Sequence, residues 1–306
     1  MQPLSRERGL ARSDAEPRPG TAARPAAARA PGSVHLWEIE TGDGPVLATA
    51  LHAGHGVRAE AARRLALGED VRLREEDPST ERFTRLSPGG PGGPGAATRV
   101  VVRVSRFEVD LNRARNEAVY ASPEAAWGLD VWGDDGPPPE LLEAAPRRHD
   151  AFYDGMRRLL RALAERWGRV LVLDLHSYNH RRGGPAAPPE DPFAAPEINV
   201  GTGWIDRRRW APVVERFLSE LATRPFLGRR LDVRENVKFR GGFFPRWVAE
   251  TFPETVCPLA VEVKKIYMDE WTGETYLGVV EGVRRALVGS LPGTLEALRR
   301  EIRRGI

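Results

Sequence analysis

The sequence predicts an α/β fold with helices layered on both faces of a buried sheet, and three observations predict it. Apolar runs stand at Val46-Leu47-Ala48-Thr49-Ala50-Leu51, Val170-Leu171-Val172-Leu173-Asp174-Leu175 and Pro258 to Ile266, as buried strands require. Residues 148–167 place Phe152, Met156, Leu159, Leu160 and Leu163 at helical spacing, so one face of a helix is apolar. Strand-like and helix-like segments then alternate along the chain, the order that layers helices over a parallel sheet.

Taken in order, ordered sequence begins near Val34, after an Arg/Ala/Pro-rich stretch at residues 1–31 whose composition predicts a disordered tail. The run 46–51 is a strand bounded by Gly44-Pro45 and Gly54. Residues 59–68 read as a helix closed by Gly68, and a Gly/Pro loop at 87–95 leads into a Val-rich strand from Thr98 to Phe107. Helix 148–167 runs directly into the most apolar strand, 170–175. A Pro-rich loop covers 182–197, and helix 206–223 follows the turn Gly201-Thr202-Gly203. The last strand, Pro258 to Ile266, precedes two helices at 276–289 and 292–304. There is no internal repeat, and the length of residues 32–306 leaves one large domain or two small ones open.

Charge narrows the function classes. The 306 residues carry 46 Lys plus Arg against 43 Asp plus Glu, a net charge of +3, with a pI near 9.3. Residues 1–31 hold Arg6, Arg8, Arg12, Arg18, Arg24 and Arg29 against Glu7, Asp14 and Glu16, which accounts for the whole excess. Residues 32–306 are therefore formally neutral, and a nucleic-acid groove has no support. The run Arg207-Arg208-Arg209-Trp210 opens a helix and reads as a solvated face. One cysteine, Cys257, excludes an internal disulfide and a Cys-built metal site. No apolar stretch approaches the ~18 residues of a membrane span, and no secretory signal opens the chain, so the expected location is the cytoplasm.

Four polar clusters stand out, three of them at or just beyond strand ends, where α/β sheets collect function. Leu51-His52-Ala53-Gly54-His55-Gly56 offers two imidazoles with small residues between them, able to approach one cation. Asp174-Leu175-His176-Ser177-Tyr178 puts Asp174 and His176 on one strand face, where the carboxylate can orient the ring. Arg106-Phe107-Glu108-Val109-Asp110-Leu111-Asn112-Arg113-Ala114-Arg115 presents guanidinium forks suited to a carboxylate, or an ordinary solvated turn. Glu262 interrupts an apolar strand, where it needs either a task such as general base or an ion pair with Lys264.

In their order, these clusters resemble the zinc carboxypeptidase superfamily, and more closely its N-formylglutamate amidohydrolase branch, over about residues 46–270. His52-Ala53-Gly54-His55 stands where carboxypeptidases have a His-x-x-Glu zinc motif. Val109-Asp110-Leu111-Asn112-Arg113 looks like their Asp-x-Asn-Arg segment, whose Asn and Arg grip a terminal carboxylate. Asp174 to Tyr178 resembles the segment supplying a further zinc ligand, and Glu262 stands at the place of the general base. The amidohydrolase branch has a His-Ser-Gly or His-Asn-Gly opening and an acidic segment similar to Arg74-Glu75-Glu76-Asp77-Pro78. His55 departs from the carboxypeptidase pattern.

The resemblance implies a single three-layer α/β/α domain with a mixed, largely parallel central sheet. It implies a Zn2+ ion, or another divalent metal, on His52 and His176, with the third ligand open among His55, Asp77 and Glu76. It also implies hydrolysis of an N-formyl or N-acyl amino acid, a small carboxylate-bearing amide, with Glu262 as base. Asn112 and Arg113 would hold the carboxylate, Arg106 would serve that grip or the oxyanion, and Tyr178 and His180 would line the mouth. A C-terminal-trimming peptidase and a non-catalytic metabolite binder are the alternative readings. Oligomeric state is not legible.

Overall fold

A computed structural model describes residues 35–90 and 93–304; the predicted tail at 1–31 lies outside them. Seven strands run in the chain as β1 (Trp37–Glu40), β2 (Val46–Ala50), β3 (Thr98–Val102), β4 (Val170–Tyr178), β5 (Ile198–Gly201), β6 (Val233–Glu235) and β7 (Val256–Lys264). The helices are α1 (Ala59–Ala62), α2 (Glu69–Glu75), α3 (Thr80–Phe83), α4 (Pro139–Trp167), α5 (Ala211–Thr223), α6 (Phe243–Thr251) and α7 (Leu277–Arg304). The strands form one sheet in the order β1-β3-β2-β4-β7-β5-β6. Its centre, β3-β2-β4-β7, is parallel, while β1 on β3 and β5 on β7 are antiparallel. The sheet is therefore mixed and largely parallel, as the α/β reading predicts.

Alternation along the central strands divides the core between the two faces. Leu171, Leu173 and Leu175 join Cys257, Leu259, Val261 and Val263 under α5 and α7. Val170 and Val172 join Phe152, Met156, Leu160, Phe244 and Val248, carried by α4 and α6, on the opposite face. Burying one such side chain contributes about 1.5–3 kcal/mol. Every residue of β4 is buried, so its polar positions must find partners inside the protein.

Several element bounds differ from the sequence expectation, for physical reasons. Helix α4 begins at Pro139, not 148, and runs through Pro146. An interior proline costs roughly 3 kcal/mol, but Leu141 and Ala145 bury on the same face as His149 and Phe152 and offset it. Likewise α7 is one helix across Pro292, because Leu287, Leu291, Leu295 and Leu298 form one buried stripe. The helix expected at 59–68 is a single turn, α1, and the next helix, α2, starts at Glu69. The strand expected at 98–107 ends at Val102, after which the chain turns toward the site, leaving only a bridge between Val104 and Gly56. The expected helix 206–223 starts at Ala211. No helix among the described residues is long and apolar enough to cross a membrane.

Candidate metal centre and active site

Strands β2, β4 and β7 lie side by side and parallel, so their C-terminal ends share one edge. The alternation that sends Leu173 and Leu175 into one core turns Asp174 and His176 to the other face at that edge. Register does the rest: Thr49 stands opposite Asp174, and His176 opposite Glu262. His52 follows the end of β2 by two residues. Gly54 lets this turn approach the chain after β3, since a Cβ there would fall 2.4 Å from the backbone of Arg103 and Val104. That contact carries Asp110 to His52.

His52, Asp77 and His176, all buried, each bring one ligand atom within 4.8 Å of the others. Asp77 Oδ2 lies 3.1 Å from His176 Nδ1 and 3.5 Å from His52 Nδ1. The outer ring nitrogens face different carboxylates: His52 Nε2 is 2.7 Å from Asp110 Oδ1, and His176 Nε2 is 2.9 Å from Asp174 Oδ2. A neutral imidazole has one N–H and one lone pair. If each Nε2–H donates outward to its carboxylate, both Nδ1 lone pairs converge with the Asp77 oxygen. Two imidazoles and a carboxylate, backed by oriented carboxylates behind the rings, are a fitting donor set for a divalent cation.

Electrostatics are set by burial and by this network. Burial alone would raise Asp77, but hydrogen bonds with His176 and His52 outweigh it and hold the carboxyl well below the usual range. Asp110 is likewise penalised by burial and still depressed, by His52 and Arg106. Burial disfavours the charged form of His176, yet Asp174 and Asp77 raise it well above an ordinary histidine. Glu262 is the opposite case. Burial pushes it up to about 7, with Asp77 and Asp174 adding to the effect against His176 and His52. Its carboxylate accepts no hydrogen bond among the described residues, and it faces the same cavity as the two histidines. Lys264 does not pair with it; the charges around Lys264 are Glu197, Asp232 and Glu190.

The cavity over this cluster has a volume of about 510 Å³. Arg106, Asn112, Arg113 and Tyr178 all line it. Arg106 is anchored by Asp110 (2.9 Å) and by the Tyr120 phenol (2.8 Å), while its Nη1 reaches only the Glu75 carbonyl at 3.5 Å. Arg113 donates to the Ala125 carbonyl at 2.7 Å and lies over the Tyr120 ring. Asn112 is already engaged: its Oδ1 accepts from Phe244 N–H at 2.8 Å, and its Nδ2 is 3.4 Å from His176 Nε2. Gly242 is required there, because a Cβ would fall 2.4 Å from the Asn112 amide. Tyr178 contributes its ring, since its hydroxyl donates to the Pro196 carbonyl.

Three candidates, His55, Glu76 and His180, lie outside this cluster and the cavity wall. His55 pairs through Nδ1 with Glu76, whose other oxygen accepts from Ser105, so these two face each other away from the histidine pair. His180 is not part of the cavity wall; its backbone N–H donates to Glu270 at 3.2 Å. Sequence reasoning missed three cations of the wall, Arg182, Arg240 and Lys265. In a chain with 46 basic residues nothing in their spacing singles out the two arginines. Lys265 had a signal: it is one of only three lysines, directly beyond the strand that bears Glu262.

Comparisons with known proteins bear on the fold and the family. No curated protein matches the chain. Among solved structures, N-formylglutamate amidohydrolase from Ralstonia eutropha JMP134 superposes with a TM-score of 0.62 at 17% identity, covering 89% of this chain and 100% of that one. The gene product Atu2144 from Agrobacterium tumefaciens superposes with a TM-score of 0.52 at 19% identity, covering 82% and 94%. Both likenesses concern the fold. The family model of N-formylglutamate amidohydrolase matches residues 44–268. Since that span takes in β2, β4, β7 and every residue of the cavity wall, the chain belongs to the N-formylglutamate amidohydrolase family.

Proposed function

We propose that the protein is a divalent-metal hydrolase, with zinc the ion of choice, that cleaves the amide of an N-formyl or N-acyl amino acid. The observation that carries this is the convergence of both Nδ1 atoms on Asp77, with Asp110 and Asp174 behind the rings, at the floor of a cavity that also holds Glu262. His52, His176 and Asp77 would hold the ion, which leaves His55 and Glu76 as neighbours of the centre. When bound, such an ion polarises an amide carbonyl and acidifies water.

The side chains supply the remaining chemistry. Glu262, desolvated and unpartnered, takes a proton from the attacking water and delivers it to the leaving amine nitrogen. Arg113 holds the substrate carboxylate, with Asn112 fixing the adjoining backbone through Phe244. Arg106, half-buried against Tyr120 and Asp110, offers Nη1 to the oxygen on which charge develops, or to the carboxylate. The ring of Tyr178 closes one wall.

The test combines metal analysis with a substrate panel. About one zinc per chain, hydrolysis of N-formyl amino acids in preference to blocked dipeptides, and loss of activity on chelation are the expected results. Full activity after exhaustive chelation would sink the metal reading. Preference for blocked dipeptides would favour the peptidase reading instead.

A further inference from the structure

Asp77 is carried differently from the two histidines. It lies in the irregular link between α2, which ends at Glu75, and α3, which begins at Thr80, and no sheet ladder holds it. What holds it comes from the segment just beyond β7. The Lys265 ammonium donates to the carbonyl of Arg74 and, at 2.8 Å, to that of Glu76. The Tyr267 phenol donates to the carbonyl of Pro78 at 2.9 Å. Three carbonyls around Asp77 are thus tied to one short stretch of chain. Asp77 N–H donates to the His52 carbonyl at 2.9 Å, and Ser177 Oγ donates to Asp77 Oδ1 at 3.0 Å.

Lys265 is 1% exposed. Burying an ammonium is costly unless its hydrogens are bonded. An apolar side chain would fill the same space without that cost, so the charge at this position is explained by what it holds. Both carbonyls it takes flank the segment that aims Asp77 at the imidazoles.

Resting on the metal reading above, we propose that Lys265, assisted by Tyr267, is a positioning residue of the metal centre. It clamps the 74–78 link by its backbone and so sets the Asp77 carboxylate against His52 and His176. Outer-shell partners of a metal ligand typically carry 10–100-fold in affinity, and a clamp on the ligand's backbone belongs to that class.

The experiment measures zinc affinity of the full chain by competition with a chromophoric chelator, for the parent, Asp77→Asn, Lys265→Met and Tyr267→Phe. Amide hydrogen exchange across residues 74–78 is followed on the same samples. Lys265→Met is expected to weaken zinc roughly 10–100-fold and to speed exchange in the link while β4 and β7 stay protected. Tyr267→Phe, which keeps the ring packed on Phe83, is expected to do both to a smaller degree. A folded Lys265→Met chain with a lowered melting temperature but parental zinc affinity would overturn the proposal, because a merely structural lysine behaves so. If Lys265→Met fails to fold, parental affinity and exchange in Tyr267→Phe overturn it equally. A parent chain that binds no zinc would remove the metal reading itself, and a parent that binds zinc equally well as Asp77→Asn would remove Asp77 from it.

Discussion

The strand-borne and link-borne halves of the centre are built on different principles. His176 and Glu262 sit on β4 and β7, whose ladder pairs them directly, and their aim follows from alternation about a buried sheet. Asp77 sits on a link with no ladder, and its aim depends on side chains that arrive from the segment just beyond β7. The first half inherits rigidity from packing that would exist without any site. The second half has to be fixed by dedicated polar bonds, each involving a buried group that is costly to leave unpaired. Substitutions in the two halves should therefore fail in different ways.

The largest effects belong to the strand-borne half. Glu262→Gln keeps shape and removes the base, so turnover should fall by about 10²–10⁴ while metal content, read by elemental analysis, stays at the parental level. His176→Ala should instead lose the metal along with activity. Parental turnover in Glu262→Gln would refute the assignment of the base. The acid limb of the pH profile tests the same group with a smaller excursion. Burial raises Glu262 toward about 7, and the protonated form cannot act as base, so activity should fall as pH drops through the limb, about tenfold per unit. A bound cation favours the carboxylate and moves the limb below about 7. A limb that persists unchanged in the residual activity of Glu262→Gln would belong to another group.

The same division explains what could be read in the sequence. The apolar runs at 46–51, 170–175 and 258–266 mark β2, β4 and β7, because strands buried on both faces tolerate almost nothing else. His52 and His176 stand out as polar residues at the ends of such runs, and Glu262 as a carboxylate that interrupts one. The edge strands β1 and β6, and β5 beside the latter, span only three or four residues, and the exposed Glu38, Ile39 and Glu40 of β1 leave no apolar pattern to detect. Asp77 was legible only as one of three candidates for the third ligand, with His55 and Glu76. The placement of Asp77 against the two imidazoles depends on Lys265 and Tyr267, some 190 residues away in sequence. Asp110 stood in a recognisable segment, but its place behind His52 depends on the close approach that Gly54 permits.

Asp110 therefore offers an intermediate test. Its carboxylate accepts from Arg106, Tyr120 and the Asn112 N–H besides facing His52. Asp110→Asn keeps the volume but puts an amide against a ring nitrogen that should itself donate. Zinc affinity should fall roughly 10–100-fold, with the larger part of the loss in activity traced to metal occupancy. If zinc affinity were parental and only substrate binding suffered, Asp110 would serve the arginine and not the histidine.

The smallest predicted effects contrast two strand-borne hydroxyls, one serving each half. Thr49 Oγ1 donates to Asp174 Oδ1 at 2.6 Å, acting on His176 through one intervening carboxylate. Ser177 Oγ donates at 3.0 Å to Asp77 itself. Removing either leaves a buried acceptor one donor short, a cost of about 1–3 kcal/mol in stability. Their effects on the metal should differ, however. Asp174 stays fixed by its buried strand, so Thr49→Val should change zinc affinity by no more than a few-fold, short of the roughly 10–100-fold that direct partners of a ligand carry. Ser177→Ala frees one oxygen of a carboxylate that has no strand beneath it, and its affinity loss should be the larger of the two. Equal losses would mean that the link is as rigid as the sheet, and that the bonds from Lys265 and Tyr267 already saturate the placement of Asp77.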